Sequence, residues 1–210
     1  LTSADRIEVL TGPLAQLYGN SAGGVIQVFT REAEPVPTLQ LQLVTGSDGL
    51  SRTDWQFSQR ARQVSFVGDY STFQIQGYRA HSEAKREQIN TLMRIDVSPQ
   101  TRIKLIANLF SMPYAKDPLG LTLAQVLANP KQAGNNAVVN DARKTVSQEQ
   151  LGAVLEHQLD SQIRIQARVY GGARENLQYQ ASSATAGSWV GLDRNFHGLG
   201  FQVQGKNQRL

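Results

Sequence analysis

Gly19-Asn20-Ser21-Ala22-Gly23 matches G-x-S-x-G, the nucleophile elbow of a serine hydrolase, and Asp193 and His197 follow in the order a triad needs. That chemistry requires the serine on a sharp turn between a strand and a helix, with Oγ exposed and a following N–H free to bind the oxyanion. Here Gly23-Gly24 and an alternating segment, Val25–Thr30, come next, and the βαβ units of such a fold are absent. Hydrolysis is therefore not expected. His81, His157 and His197 are far apart in sequence, and no H-E-x-x-H spacing joins them. The chain has no cysteine, so it can build no disulfide, thiolate metal site or thiol nucleophile. No P-loop or dinucleotide fingerprint is present. The residues thus imply no catalysis, no cofactor and no resident metal.

The basic residues offer a different chemistry. Lys and Arg number 21 against 17 Asp and Glu, a net charge of +4 that permits an anionic partner without demanding one. Arg102, Lys104, Arg164 and Arg168 sit on polar faces of alternating segments. A sheet that binds nucleic acid usually adds exposed aromatics for stacking, whereas these faces carry mainly Gln and Arg. Nucleic acid is therefore not the expected partner; a soluble β-sheet binding module for an anionic ligand stays open as the alternative.

These side chains must be positioned by strands. With 40% hydrophobic residues among 210, the chain is no disordered polymer. No run of eighteen apolar residues exists, which excludes a transmembrane helix and leaves a transmembrane β-barrel open. Period-2 alternation recurs at Ala4–Leu10, Leu39–Leu43, Phe73–Gln76, Ile89–Val97, Ile103–Leu109, Leu151–Leu159, Ile163–Val169 and Leu199–Val203. Trp55 and Phe57 fall on one face but Val64 and Phe66 on the other, so a bulge near Gln59–Gln63 is expected. Polar Arg31–Pro37, with Pro35 and Pro37, predicts a linker between two units, one spanning 1–33 and one spanning 34–210.

The connections alternate in length. Short turns are expected at Gly68–Ser71, Ser98–Thr101 and Asp160-Ser161. Long polar loops are expected at His81–Glu87, Ser111–Thr145 and Ala181–His197, with Gly46–Ser51 a short exception. Leu121–Ala128 predicts a short helix ended by Asn129-Pro130. One rim would thus carry Asp69, Pro99 and Asp160, and the other Ala115, Asn136 and Ser188. The first residue is Leu1 and the last residues still alternate, as expected of a segment from a longer chain.

Alternation alone fits two settings: a soluble sheet with its apolar face inward, or an outer-membrane barrel with its apolar face toward lipid and a polar lumen. Segments of about 8–11 residues and lumen-compatible Gln and Arg point toward the barrel, yet periodicity leaves both open.

Arg6-Ile7-Glu8-Val9-Leu10-Thr11-Gly12-Pro13, followed by Leu17-Tyr18-Gly19-Asn20-Ser21-Ala22-Gly23-Gly24-Val25-Ile26-Gln27-Val28, resembles the end of the plug domain in TonB-dependent outer-membrane receptors. Gly77-Tyr78-Arg79 to Ser82 and Asn129-Pro130-Lys131-Gln132 fit the ferric-siderophore-type members. The resemblance implies an all-β fold: about eight antiparallel transmembrane strands of a 22-stranded barrel, preceded by the C-terminal part of a plug. It implies an outer-membrane location, a lipid bilayer around the strands, uptake of a scarce nutrient such as a ferric siderophore, and coupling to the TonB complex through a region outside this chain. It also implies that Arg6, Glu8, Gly12, Pro13, Tyr18, Gly19, Gly23 and Gly24 form the plug motif, with Arg6 and Glu8 as candidates for locking plug to barrel. Thr11 stands where the family usually has a second arginine and cannot supply its charge. From the residues themselves, the glycines provide positive φ or close approach at tight turns, and Tyr18 packs as an aromatic. Eight strands carrying so many long polar groups on one face are expected to form an open sheet rather than a closed narrow barrel.

Overall fold

The structure, a computed structural model, describes residues 3–12, 23–181 and 187–205. Two sheets build it. β1 (Ala4–Leu10) and β2 (Val25–Thr30) form an antiparallel pair, with Ile7 opposite Val28 and Val9 opposite Ile26. Gly24 starts β2 with φ +125, and a Cβ there would lie 2.7 Å from the Leu10 carbonyl oxygen; Gly12 also has a left-handed φ, +87. Both therefore need glycine, whereas Gly23 has open space and no such φ. Pro13, Tyr18, Gly19 and Ser21 lie outside the described residues.

The second sheet contains β3 (Thr38–Thr45), β4 (Ser51–Ala61), β5 (Val64–Ile75), β6 (Ala84–Asp96), β7 (Thr101–Lys116), β8 (Arg143–Gln158), β9 (Ile163–Gln180) and β10 (Ser188–Gly205). Every strand pairs antiparallel with its neighbours in sequence, and β3 and β10 form the two edges. The sheet is open, as expected. Two short helices, α1 (Leu123–Ala128) and α2 (Asn135–Val139), lie in the β7–β8 connection. α1 falls inside the expected helix and starts with a capping box, Thr122 Oγ1 accepting from the Gln125 N–H. α2 carries no side-chain cap and was not foreseen.

Several boundaries differ from expectation. No bulge interrupts Gln59–Gln63. The chain turns at Arg62-Gln63, with Ala61 opposite Val64 and Arg62 at φ +52. The hairpin puts Trp55, Phe57, Val64 and Phe66 on one face, because Trp55 pairs with Tyr70 and Gln59 with Phe66. Gly68–Ser71, expected as a turn, is the middle of β5, so Asp69 sits mid-strand rather than on a rim. The connections at 117–142 and 181–187 are shorter than expected, because the strands run on past the end of their apolar stretch, and the first, at 76–83, starts five residues earlier than expected. One rim carries Arg62-Gln63, Pro99 and Asp160-Ser161; the other carries the three long connections and the Gly46–Leu50 hairpin. Asp48 ties that hairpin to the first long connection, its carbonyl accepting from the Gln76 and Gly77 N–H groups.

Polar contacts also join two long connections into one unit. The Arg79 guanidinium donates to three carbonyls, those of Leu119 (2.7 Å), Gln132 (2.9 Å) and Pro118 (3.1 Å). The Ala80 N–H donates to the Lys131 carbonyl, and His81 Nε2 lies 3.0 Å from that of Ala142.

Candidate functional site

The eight-stranded sheet is built inside out. On one face stand Leu39, Leu41, Trp55, Leu105, Leu151, Leu199, Phe201 and Val203, all exposed, Leu199 by 86%. Buried on the other face are Asp54 (1% exposed), Ser58 (0%), Asp69 (4%) and Asn90. A soluble sheet shows the reverse, since burying polar groups costs free energy unless each finds a partner. An apolar face this extensive far exceeds the patches of soluble monomers.

The apolar belt also slants across the strands. The rung that begins at Leu41, the centre of the apolar stretch on β3, runs through Trp55, Tyr70, Ile89, Leu109, Glu149 and Ala173 to Asn195 on β10. The apolar stretch of β10 centres on Phe201, six residues farther along. Six residues at ~3.3 Å against seven interstrand steps at ~4.8 Å give a slant of roughly 30°. A level band on the tilted strands of a membrane barrel, where the tilt is about 35–45°, would slant in the same way by a somewhat larger angle. Glu87, Glu149, Glu175 and Asp193 share the outer face but lie beyond the upper edge of this band. His157 sits on the apolar face at its lower edge, where its Nδ1 is 2.9 Å from Thr101 Oγ1.

The inner face carries a connected polar network. Arg94 grips both carboxylate oxygens of Asp96 at 3.1 Å, from Nε and Nη2. Arg102 shares Asp96 at 2.8 Å, and Lys104 donates to Glu156 at 2.8 Å. Higher up, Asn108 donates to Asn90 Oδ1 and Asn90 to Asp69 Oδ1, at 2.9 and 3.0 Å. Arg52 pairs with buried Asp54 at 2.8 Å. Burial of these polar groups would be costly without such partners.

The segment after β2 is attached to this face. Arg31 donates to Gln56 Oε1 at 2.8 Å, the Glu34 N–H to Ser58 Oγ at 3.0 Å, and Arg94 Nη1 to Glu32 Oε2 at 3.0 Å. Between the two sheets lies a cavity of about 990 Å³, lined on one side by Arg6, Val28 and Phe29 and on the other by Val67, Leu92 and Ile106. The sequence marked 31–37 as a linker, and nothing in its spacing singled out Arg31, Glu32 or Glu34 as contacts. Arg6 donates to Glu8 at 2.7 Å along β1, and its guanidinium lies 3.8 Å above the Phe29 ring. The hydrogen bond to the Glu8 carboxylate pushes the Arg6 pKa above its ordinary value.

Asp193 and His197 do not meet. Asp193 and His197 share the outer face of one strand, four residues apart, a separation of about 13 Å. Among the described residues no cluster of three His, Cys, Asp or Glu could hold a metal ion.

No family model matches the sequence. The fold, however, is that of known structures. Over 95% of its length the chain superposes on the unliganded ferric citrate transporter FecA, covering 31% of that protein (TM-score 0.77, 17% identity). It superposes over 99% of its length on BauA, the ferric preacinetobactin receptor of Acinetobacter baumannii, covering 34% of it (TM-score 0.73, 16% identity). For Fiu, the ferric-catecholate import receptor of E. coli K12, the figures are 92% and 34% (TM-score 0.69, 12% identity). The chain spans about a third of the length of each of these three structures. Its eight antiparallel strands have the fold of a stretch of the barrel wall of ferric-siderophore receptors.

Proposed function

We propose that this chain is part of a TonB-dependent receptor of the bacterial outer membrane that imports a ferric siderophore. The supporting observation is the inside-out sheet, whose exposed apolar band keeps one level across tilted strands while the opposite face is polar and hydrogen-bonded. In this reading residues 34–210 are barrel strands in the bilayer, and residues 1–33 are the end of the plug, resting on the lumen face through Arg31 and Glu32. The plug motif comprises Arg6, Glu8, Gly12, Pro13, Tyr18, Gly19, Gly23 and Gly24, and the hydrogen-bonded Arg6–Glu8 pair is available to contact the barrel when the rest of the plug is in place. The rim with the long connections faces the medium, since barrels of this class have short periplasmic turns and longer outer loops. The role is transport, with iron arriving already chelated.

The test is uptake of radiolabelled iron chelates by cells making the full-length protein, with and without a working TonB complex. Uptake of at least one chelate that disappears without TonB is expected. Uptake indifferent to TonB, or no uptake of any chelate, would sink the proposal.

A further inference from the structure

On the inner face of the two longest strands, arginines are paired with each other. Arg174 of β9 stands directly opposite Arg194 of β10. Like charges directly opposite are destabilising in a sheet, and among the described residues no carboxylate on this face is free to separate them. Asp54 is taken by Arg52, Asp69 by Asn90, Asp96 by Arg94 and Arg102, and Glu156 by Lys104. The carboxylates next in sequence, Glu175 and Asp193, project from the opposite face. Arg174 donates to the neutral Gln148 amide oxygen at 2.7 Å, and Arg194 has no polar partner among the described residues.

The two rungs below the arginines carry aromatic rings laid against the wall. Phe196 faces Gly172 and Tyr170 faces Gly198. A Cβ on Gly172 would come within 2.7 Å of the Phe196 ring, and one on Gly198 within 2.5 Å of the Tyr170 ring, so glycine is what lets each ring lie across its partner strand. The rungs of Tyr170, Phe196 and Arg174 are consecutive on one face, a span of about 14 Å. They lie on the long-connection side of the belt centred at Phe201.

We infer that this wall binds an anionic ferric chelate that carries aromatic rings, with Arg174 and Arg194 taking the charge and Tyr170 and Phe196 stacking on the rings. The inference rests on the receptor function proposed above and narrows its substrate class. An anion between the two guanidiniums turns a repulsive pair into two charge-assisted contacts, and the flattened rings offer the faces on which a catechol-type ring packs.

The full-length receptor in detergent is titrated with three probes by tryptophan fluorescence: iron(III) tris-catecholate, iron(III) citrate, and a neutral iron(III) tris-hydroxamate. The double variant Arg174→Gln, Arg194→Gln should bind both anionic probes at least about tenfold more weakly and lose their salt dependence. The double variant to Lys should restore much of the salt-dependent binding and thereby report an intact fold. Tyr170→Leu with Phe196→Leu should weaken the tris-catecholate alone. Unchanged binding of the anionic probes by the Gln variant, or a wild-type preference for the neutral probe, overturns the inference while leaving receptor function intact. A wild-type receptor that binds none of the three overturns the inference, and the uptake assay then decides separately whether the receptor reading survives.

Discussion

Arg94 on β6 reaches Glu32, in the segment after β2, with one terminal nitrogen at 3.0 Å while its other two nitrogens hold Asp96. The two ends of this contact differ in environment: the Arg94 side chain is 13% exposed and that of Glu32 68%.

Removing either end should therefore have unequal effects. Glu32→Gln removes an exposed partner and should cost under about 1 kcal/mol. Arg94→Met strips Asp96 of a bidentate partner on a half-buried face and should cost about 1–3 kcal/mol. Chemical unfolding of the full-length protein in detergent measures both; equal losses would contradict the assignment of Arg94 as the structural centre of this network.

The slanted belt makes a depth-dependent prediction on a single strand. Leu105→Arg, near the middle of the band on β7, should destabilise by about 2–4 kcal/mol, whereas Ser111→Arg, on the same face six residues higher, should cost roughly 0–1 kcal/mol. Reversible refolding of the full-length protein into vesicles reads the difference.

Sidedness follows from the two rims. Cysteines introduced at Asn136 and at Gln100 of the full-length protein should differ on intact cells, with a membrane-impermeant maleimide labelling only Asn136→Cys. Labelling at Gln100→Cys alone, or at both, would reverse or abolish the proposed orientation.

Arg79 gives a prediction about the long connections. Arg79→Ala removes the donor shared by three carbonyls of the 118–132 stretch, and cleavage after Lys131 by trypsin should speed up about tenfold or more as local opening becomes easier. Arg79→Lys, which cannot make the three-way contact, should fall between the two. Cleavage rates on the full-length protein, followed by mass spectrometry, provide the measurement.

How much of this was legible in the sequence depended on which side of the wall carried the signal. Wherever apolar residues faced outward on alternate positions, as at Ile103–Leu109 or Ile163–Val169, the strand was plain. Two kinds of segment misled. Gly68-Asp69-Tyr70-Ser71 has the composition of a turn because turn residues are inferred from polarity and glycine; in a wall with a polar interior, Asp69 is an ordinary inward strand position. The true turn, Arg62-Gln63, has no Gly, Pro, Asn or Asp to announce it. Strand ends were lost for a related reason. Just beyond the band the outer face turns polar, as at Ser111 and at Asp193–His197, so alternation fades at Leu109 and begins late at Leu199, although backbone pairing runs on to Lys116 and starts at Ser188. The inner network was invisible because it depends on register: Arg94 and Arg102 meet at Asp96, and Arg174 meets Arg194, only once neighbouring strands are aligned.

The strict pairing of each strand with its neighbours in sequence carries a kinetic consequence. Hairpins closed by Arg62-Gln63, Ser98–Thr101 and Asp160–Gln162 bring their strands together across a few residues, at little cost in loop entropy. The step from β7 to β8 must instead close the 117–142 stretch, and the logarithmic penalty for its length falls on that one joint. The wall therefore divides during assembly into two zippers, one ending at β7 and one beginning at β8. The hydrogen bonds from Arg79 and Ala80 onto 118–132 shorten the free span between them.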